Sequence, residues 1–180
     1  MVVSFAIVWL VAGAAFTASP AQPAAASLDV CTLLGAEDIR AVQGVALKDR
    51  RKSSENVRGL DFAQCFFAAG DFTRSVSLTV ISGDAKGGAR GYWQDAFHRR
   101  PPVPPAAAPA GGRKKEPPRS IEGAGDEAFW TGDARAGALY VLSGDRVLRI
   151  SVGGVTDPNE RLRRSTTLAK VALEALPRKR

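Results

Sequence analysis

Two neighbouring carboxylates, Asp126 and Glu127, follow the turn Gly123-Ala124-Gly125, and their side chains are the ones best suited to acid/base chemistry. A hydrolase would use one carboxyl as proton donor and the other as base. Neighbours on a strand point to opposite faces, however, which argues against a paired role. The Gly-x-Gly-Asp pattern also suggests a phosphate cradle, but such a loop normally leads into a helix whose amides converge on the anion, and this one leads into a strand. A tight turn in which Asp126 bonds its own backbone is the simpler expectation. A second adjacent pair, Glu37 and Asp38, suits the first turn of a helix and compensates its dipole. The single histidine, His98, falls at the C-terminal end of another predicted helix. It reads as a solvated cap there, because no serine, cysteine or acidic partner can be assigned to it from sequence. No catalytic residue, cofactor or metal site is therefore expected, and the chain reads as non-enzymatic.

The remaining groups with chemistry are two cysteines and a surplus of basic side chains. Cys31 and Cys65 lack Cys-x-x-Cys spacing, so a redox pair or a metal site is disfavoured against a bridge, the usual fate of an even pair in an oxidising compartment. Lysine and arginine number 25 against 18 acidic residues, a formal net charge of +7. The surplus is clustered: Lys48 with Arg50, Arg51 and Lys52; Arg99-Arg100; Arg113-Lys114-Lys115; Arg161 with Arg163 and Arg164; and the terminal Arg178-Lys179-Arg180. Such clusters either form a solvated surface or attract anionic lipid headgroups, phosphorylated glycans and acidic proteins. The candidate anion-binding residues are Arg50, Arg51, Lys52, Arg161, Arg163 and Arg164.

Residues 1–28 carry no charge and include the apolar run Val2 to Phe16, which is short for a membrane span. The expectation is a signal peptide over residues 1–26, with small-x-small cleavage sites near Ala21 and Ala26, although a basic n-region is missing. An uncleaved anchor is the rival. Export makes nucleic acid a poor partner and implies a periplasmic or secreted protein with no stable membrane span after cleavage. Residues 27–180, roughly 150 residues, are enough for one domain.

Positioning these groups is the work of predicted elements. Leu34, Ile39 and Val42 line a short helix over residues 32–44, stopped by Gly44. Residues 45–48 suit an edge strand, and Lys48 to Gly59 reads as a loop. Strands follow at 62–68 and 75–81, then a helix from an Asp84 cap to His98 with Ala89, Tyr92, Trp93, Ala96 and Phe97 on its apolar stripe. Residues 100–119 form a Pro-rich insertion with no apolar pattern. The stretch 123–153 is the clearest signal: a strand at 126–131, then a hairpin closed at Gly144-Asp145 with Leu139, Val141, Leu148, Ile150 and Val152 on one face. Asp157, Pro158 and Glu160 open the last helix as a capping box, with Leu162, Ala169, Ala172, Leu173 and Leu176 toward the sheet and Arg161, Arg164 and Lys170 toward water. The fold class is α+β, a mostly antiparallel sheet of five to six strands with two or three amphipathic helices on one face.

Three segments together resemble a known group. Asp29-Val30-Cys31-Thr32-Leu33-Leu34, Cys65-Phe66-Phe67 and Gly123-Ala124-Gly125-Asp126-Glu127-Ala128-Phe129-Trp130 are similar to the D-x-C-x-L-L opening, the cysteine-aromatic pair and the G-x-G-D-x-A-aromatic turn of small exported bacterial proteins of unknown function, many of them actinobacterial lipoproteins. The chain departs from that group in lacking a lipid-acceptor cysteine and in carrying the Pro-rich insertion. The resemblance implies a Cys31–Cys65 disulfide and an envelope location, and it implies no activity. The function expected is thus binding of a protein partner or an anionic envelope ligand through a basic surface. The alternatives are a carboxylate-dependent hydrolase and a structural or sensory module with a groove on an exposed sheet face.

Overall fold

A computed structural model describes residues 28–83, 87–99, 117–133 and 135–177. The expected signal peptide with its cleavage sites, the Asp84 cap, the basic groups at 113–115 and 178–180, and all but the last residues of the Pro-rich segment lie outside them.

Among the described residues seven strands form one sheet in which every pairing is antiparallel: β1 Leu47–Val57, β2 Leu60–Ala69, β3 Val76–Ser82, β4 Arg119–Ser120, β5 Glu127–Gly132, β6 Gly137–Ser143 and β7 Arg146–Val152, in the spatial order β1-β2-β3-β7-β6-β5-β4. Among the described residues three helices accompany it: α1 Ala36–Gln43, α2 Gly88–Trp93 and α3 Pro158–Ala175. A 3-10 turn at Val30–Thr32 precedes α1, and a one-turn π segment at Gln94–His98 continues α2. The two sequence halves, β1 to β3 and β4 to β7, meet along the β3–β7 seam, where Val76 pairs with Val152 and Ile81 with Val147.

Alternation assigns the faces. Cys65, Phe67, Leu78, Val80, Leu139, Val141, Leu148 and Ile150 are buried together with Val30, Leu34, Ile39, Leu168, Ala169 and Ala172, so the 3-10 turn, α1 and α3 pack on one face and enclose the main core there. The intervening residues Ile81, Leu142 and Val147 point the other way and pack with Ala89 and Trp93. Helix α2 therefore covers one end of the opposite face, adding an aromatic layer of Phe62, Tyr92, Phe97, Phe129 and Tyr140. Ala96, placed by its spacing on the apolar stripe, is exposed.

Several local expectations change. The helix expected over 32–44 is broken at Gly35, whose amide donates to the Asp38 carboxylate at 2.7 Å; only Ala36–Gln43 is α-helical, ending as expected on Gly44 in the left-handed region. The segment Lys48 to Gly59 is not a loop. It is most of the longest strand, β1, paired with β2 from Leu47 to Val57 through a two-residue turn at Arg58-Gly59, both at positive φ. Arg119, read as the end of the Pro-rich insertion, pairs with Trp130 in the added strand β4. Asp157 caps α3 as expected through the Glu160 amide (2.6 Å), but the Glu160 side chain turns away to two arginines and leaves the capping box half made.

Candidate functional site

The carboxylate pair sits where β5 begins. Gly125 has φ +61°, and a Cβ there would lie 2.4 Å from the Leu142 carbonyl, so only glycine fits. This close approach lets the Asp126 amide donate to Leu142 O (2.8 Å) while the Asp126 carboxylate accepts from the Gly144 amide (2.8 Å), with the Arg90 guanidinium 3.5 Å away. Asp126 thus fastens its turn to the β6–β7 hairpin instead of bonding its own backbone, because the register brings that turn's amide within reach.

Glu127 points to the opposite face, as strand geometry requires. Its Oε2 accepts from Trp93 Nε1 at 2.6 Å and lies 3.0 Å from His98 Nε2. Burial is the largest single influence on this carboxyl and works to raise its pKa. Hydrogen bonds from Trp93 and His98 and the nearby imidazole outweigh it, leaving the pKa below the usual carboxylate range. A carboxylate held ionised by two donors anchors a helix better than it donates protons. His98 accordingly has the acidic partner that sequence could not assign to it. The signal was present in the pattern: Glu127 and Phe129 share the strand face that the aromatic stripe of α2 must cover.

An open cleft of about 680 Å³ lies between the Gly125-Asp126 turn, the β6–β7 turn and the C-terminal end of α3. Its lining includes Asp126, Asp145 and Glu174 with the single guanidinium of Arg146, which donates to the Pro177 carbonyl at 2.8 Å. Three carboxylates to one cation disfavour a phosphate there. Among the described residues no group of three His, Cys, Asp or Glu side chains is arranged to hold a metal ion, and Cys31 and Cys65 form a disulfide with Cα atoms 5.1 Å apart.

The structure separates the six candidate anion-binding residues into two sets, with α1 touching both β1 and α3. Within β1 the side chains alternate. Arg50 and Lys52 stand opposite Phe67 and Cys65 on the main-core face, while Arg51 stands opposite Phe66 on the other. Arg50 lies over the Phe67 ring, Lys52 is 3.5 Å from Asp29, and Arg51 is 3.1 Å from Asp49. These ion pairs are exposed and weak. On α3, Arg161 was expected toward water and is instead 3% exposed, on the same stripe as Ser165, Leu168 and Ala172. Its guanidinium donates to the carbonyls of Val155 and Asp133 and holds the loops beneath the helix.

Arg163 and Arg164 both grip Glu160, each with contacts of 2.7 Å, and Arg164 also donates to Gln43 Oε1. Gln43 is itself buried and bonds the carbonyls of Arg74 and Gly153, a hub with no signature in the sequence. The hydrogen bond from Arg163 and then that from Arg164 lower the Glu160 pKa to about 2. A carboxyl depressed on folding contributes stability that is fully present above its ordinary pKa of 4.5 and is lost as pH falls through about 2. Melting temperature should therefore decline between those values, and Glu160→Gln should flatten that part of the profile. An unchanged profile would show that the arginine pair does not hold Glu160 in solution.

Among the described residues no helix is long and apolar enough to cross a membrane. No family model matches the chain and no curated protein does. A solved structure of a GTP binding regulator from Thermotoga maritima is similar at 10% identity over 78% of this chain and 89% of the other, with a TM-score of 0.42, a likeness too distant to carry any argument about this chain.

Proposed function

We propose that this chain is an exported, non-enzymatic protein of the bacterial envelope that binds an anionic partner through the basic first half of β1. The observation that carries the reading is the position of that strand. It lies at the end of the sheet order, and every residue from Lys48 to Val57 is exposed, with Lys48, Arg50, Arg51 and Lys52 gathered in its first half. The other basic set supports the choice by contrast, since Arg161 is spent on carbonyls and Arg163 and Arg164 on Glu160. The groups that could do acid/base chemistry are likewise occupied in fastening the fold, Asp126 to a hairpin and Glu127 to α2. A disulfide between the chain's two cysteines fits an oxidising compartment.

Binding of the full chain to immobilised poly-glutamate tests the reading. It should weaken steeply between about 50 and 300 mM salt, as screening of exposed charges requires. Reversing two charges together, Arg51→Glu with Lys52→Glu, should weaken it by roughly tenfold or more. Retention that is insensitive to salt and to the double reversal would remove the basic strand from the account.

A further inference from the structure

Among the described residues nothing pairs with the outer side of strand β1. The two-residue turn at Arg58-Gly59 makes Val57 and Leu60 the closing hydrogen-bonded pair, and from there the antiparallel pattern alternates. Glu55, Ser53 and Arg51 then exchange backbone bonds with β2. Asn56, Ser54, Lys52 and Arg50 direct their amides and carbonyls outward, away from the sheet. The Arg50 amide is already taken by the Asp49 carboxylate at 2.7 Å, next to a register shift between Leu47 and Asp49. The edge left unpaired by the described residues therefore runs from Lys52 to Asn56.

We infer that this edge takes an additional strand, an extended acidic segment of a partner protein, whose backbone bonds Lys52, Ser54 and Asn56 while its carboxylates meet Arg50, Arg51 and Lys52. The inference rests on the reading of β1 as the binding surface and names its mode and its occupant. An exposed edge offers a row of donors and acceptors that an extended chain satisfies, and proteins block unwanted edges with charge, proline or bulges. Here the bulge and the blocked amide lie at one end only. The charges of that end are of mostly one sign, so they oppose pairing with a second copy and favour an acidic strand, because like charges directly across a ladder are destabilising and opposite ones stabilising. Asp29 and Asp49, which pair with Lys52 and Arg51, are themselves exposed and easily displaced by a partner's carboxylates. At the far end Ser53, Ser54 and Asn56 have small polar side chains that leave room for a neighbouring backbone, while Glu55 stands on the sheet face opposite that of Arg50 and Lys52.

The probe is a blocked ten-residue peptide of alternating glutamate pairs and threonine pairs, which puts carboxylates on both faces of the added strand, titrated into the full chain and read by calorimetry and by amide hydrogen exchange. Binding should slow exchange at Lys52, Ser54 and Asn56. Ser54→Pro removes one outward donor without touching the β2 ladder, and it should weaken binding by about tenfold or more. N-methylation of alternate peptide amides should do the same without altering the protein, which guards against a Ser54→Pro chain that fails to fold. Full-strength binding by Ser54→Pro and by the methylated peptide, combined with loss in Arg51→Glu/Lys52→Glu, would overturn strand addition and leave the basic surface standing. No binding of the unmodified peptide at low salt would overturn both.

Discussion

Replacing Cys31 and Cys65 together by alanine is expected to lower the unfolding free energy by about 4 kcal/mol, the loop-closure entropy that a crosslink of this span removes from the unfolded chain. Domains of this size are stable by only about 5–15 kcal/mol, so the variant should sit near the edge of folding at physiological temperature. Position adds to the entropic effect. The bridge ties the 3-10 turn to the middle of β2, and Cys65 is fully buried between Lys52 and Leu78 of the flanking strands. Urea denaturation of the oxidised protein, the reduced protein and the double variant would measure it. Equal midpoints for all three would show that packing of Val30, Leu33 and Leu34 holds that turn without the crosslink.

Trp93→Ala should cost about 3–5 kcal/mol, the range for deleting a large buried aromatic. The indole is fully buried, contacts Phe97 and Phe129 with ring centroids 4.4 and 5.7 Å away, and donates its Nε1 proton to Glu127. Its loss opens a cavity and takes away one of two hydrogen bonds, leaving the Glu127 carboxylate with the His98 contact at 3.0 Å. Trp93→Phe separates the two effects: it keeps most of the ring packing and loses the hydrogen bond, for about 1–3 kcal/mol. Thermal melts of both variants would check the ordering. A Trp93→Ala chain as stable as the native one would mean that the face beneath α2 does not need its cover.

How much of this was legible in the residues follows from where each element buries its side chains. Strands β3, β5, β6 and β7 have one face on the main core, so Val76, Leu78 and Val80 or Leu148, Ile150 and Val152 announce themselves by alternation. Strand β1 buries neither face and so has no apolar period. Its existence depends on pairing with β2, a tertiary fact that a window of charged residues does not carry. Turn chemistry was equally silent there, since Arg58 adopts the positive φ that asparagine or glycine usually supplies. Arg161 shows the converse error. Its residue type says water, while its spacing from Ser165, Leu168 and Ala172 says core, and spacing was right because the loop carbonyls of Val155 and Asp133 need donors.

The join between β3 and β7 also bears on how fast the molecule assembles. Partners such as Val76 and Val152 lie almost half the chain apart, whereas β1, β2 and β3 on one side and β5, β6 and β7 on the other form from neighbours in sequence. Two local units are therefore expected to appear early and their docking to set the rate, because closing so long a loop precedes any reward from the contacts it makes. Until then each unit shows water an open margin of apolar strand, and the interval before docking is when the newly made chain is most prone to aggregate.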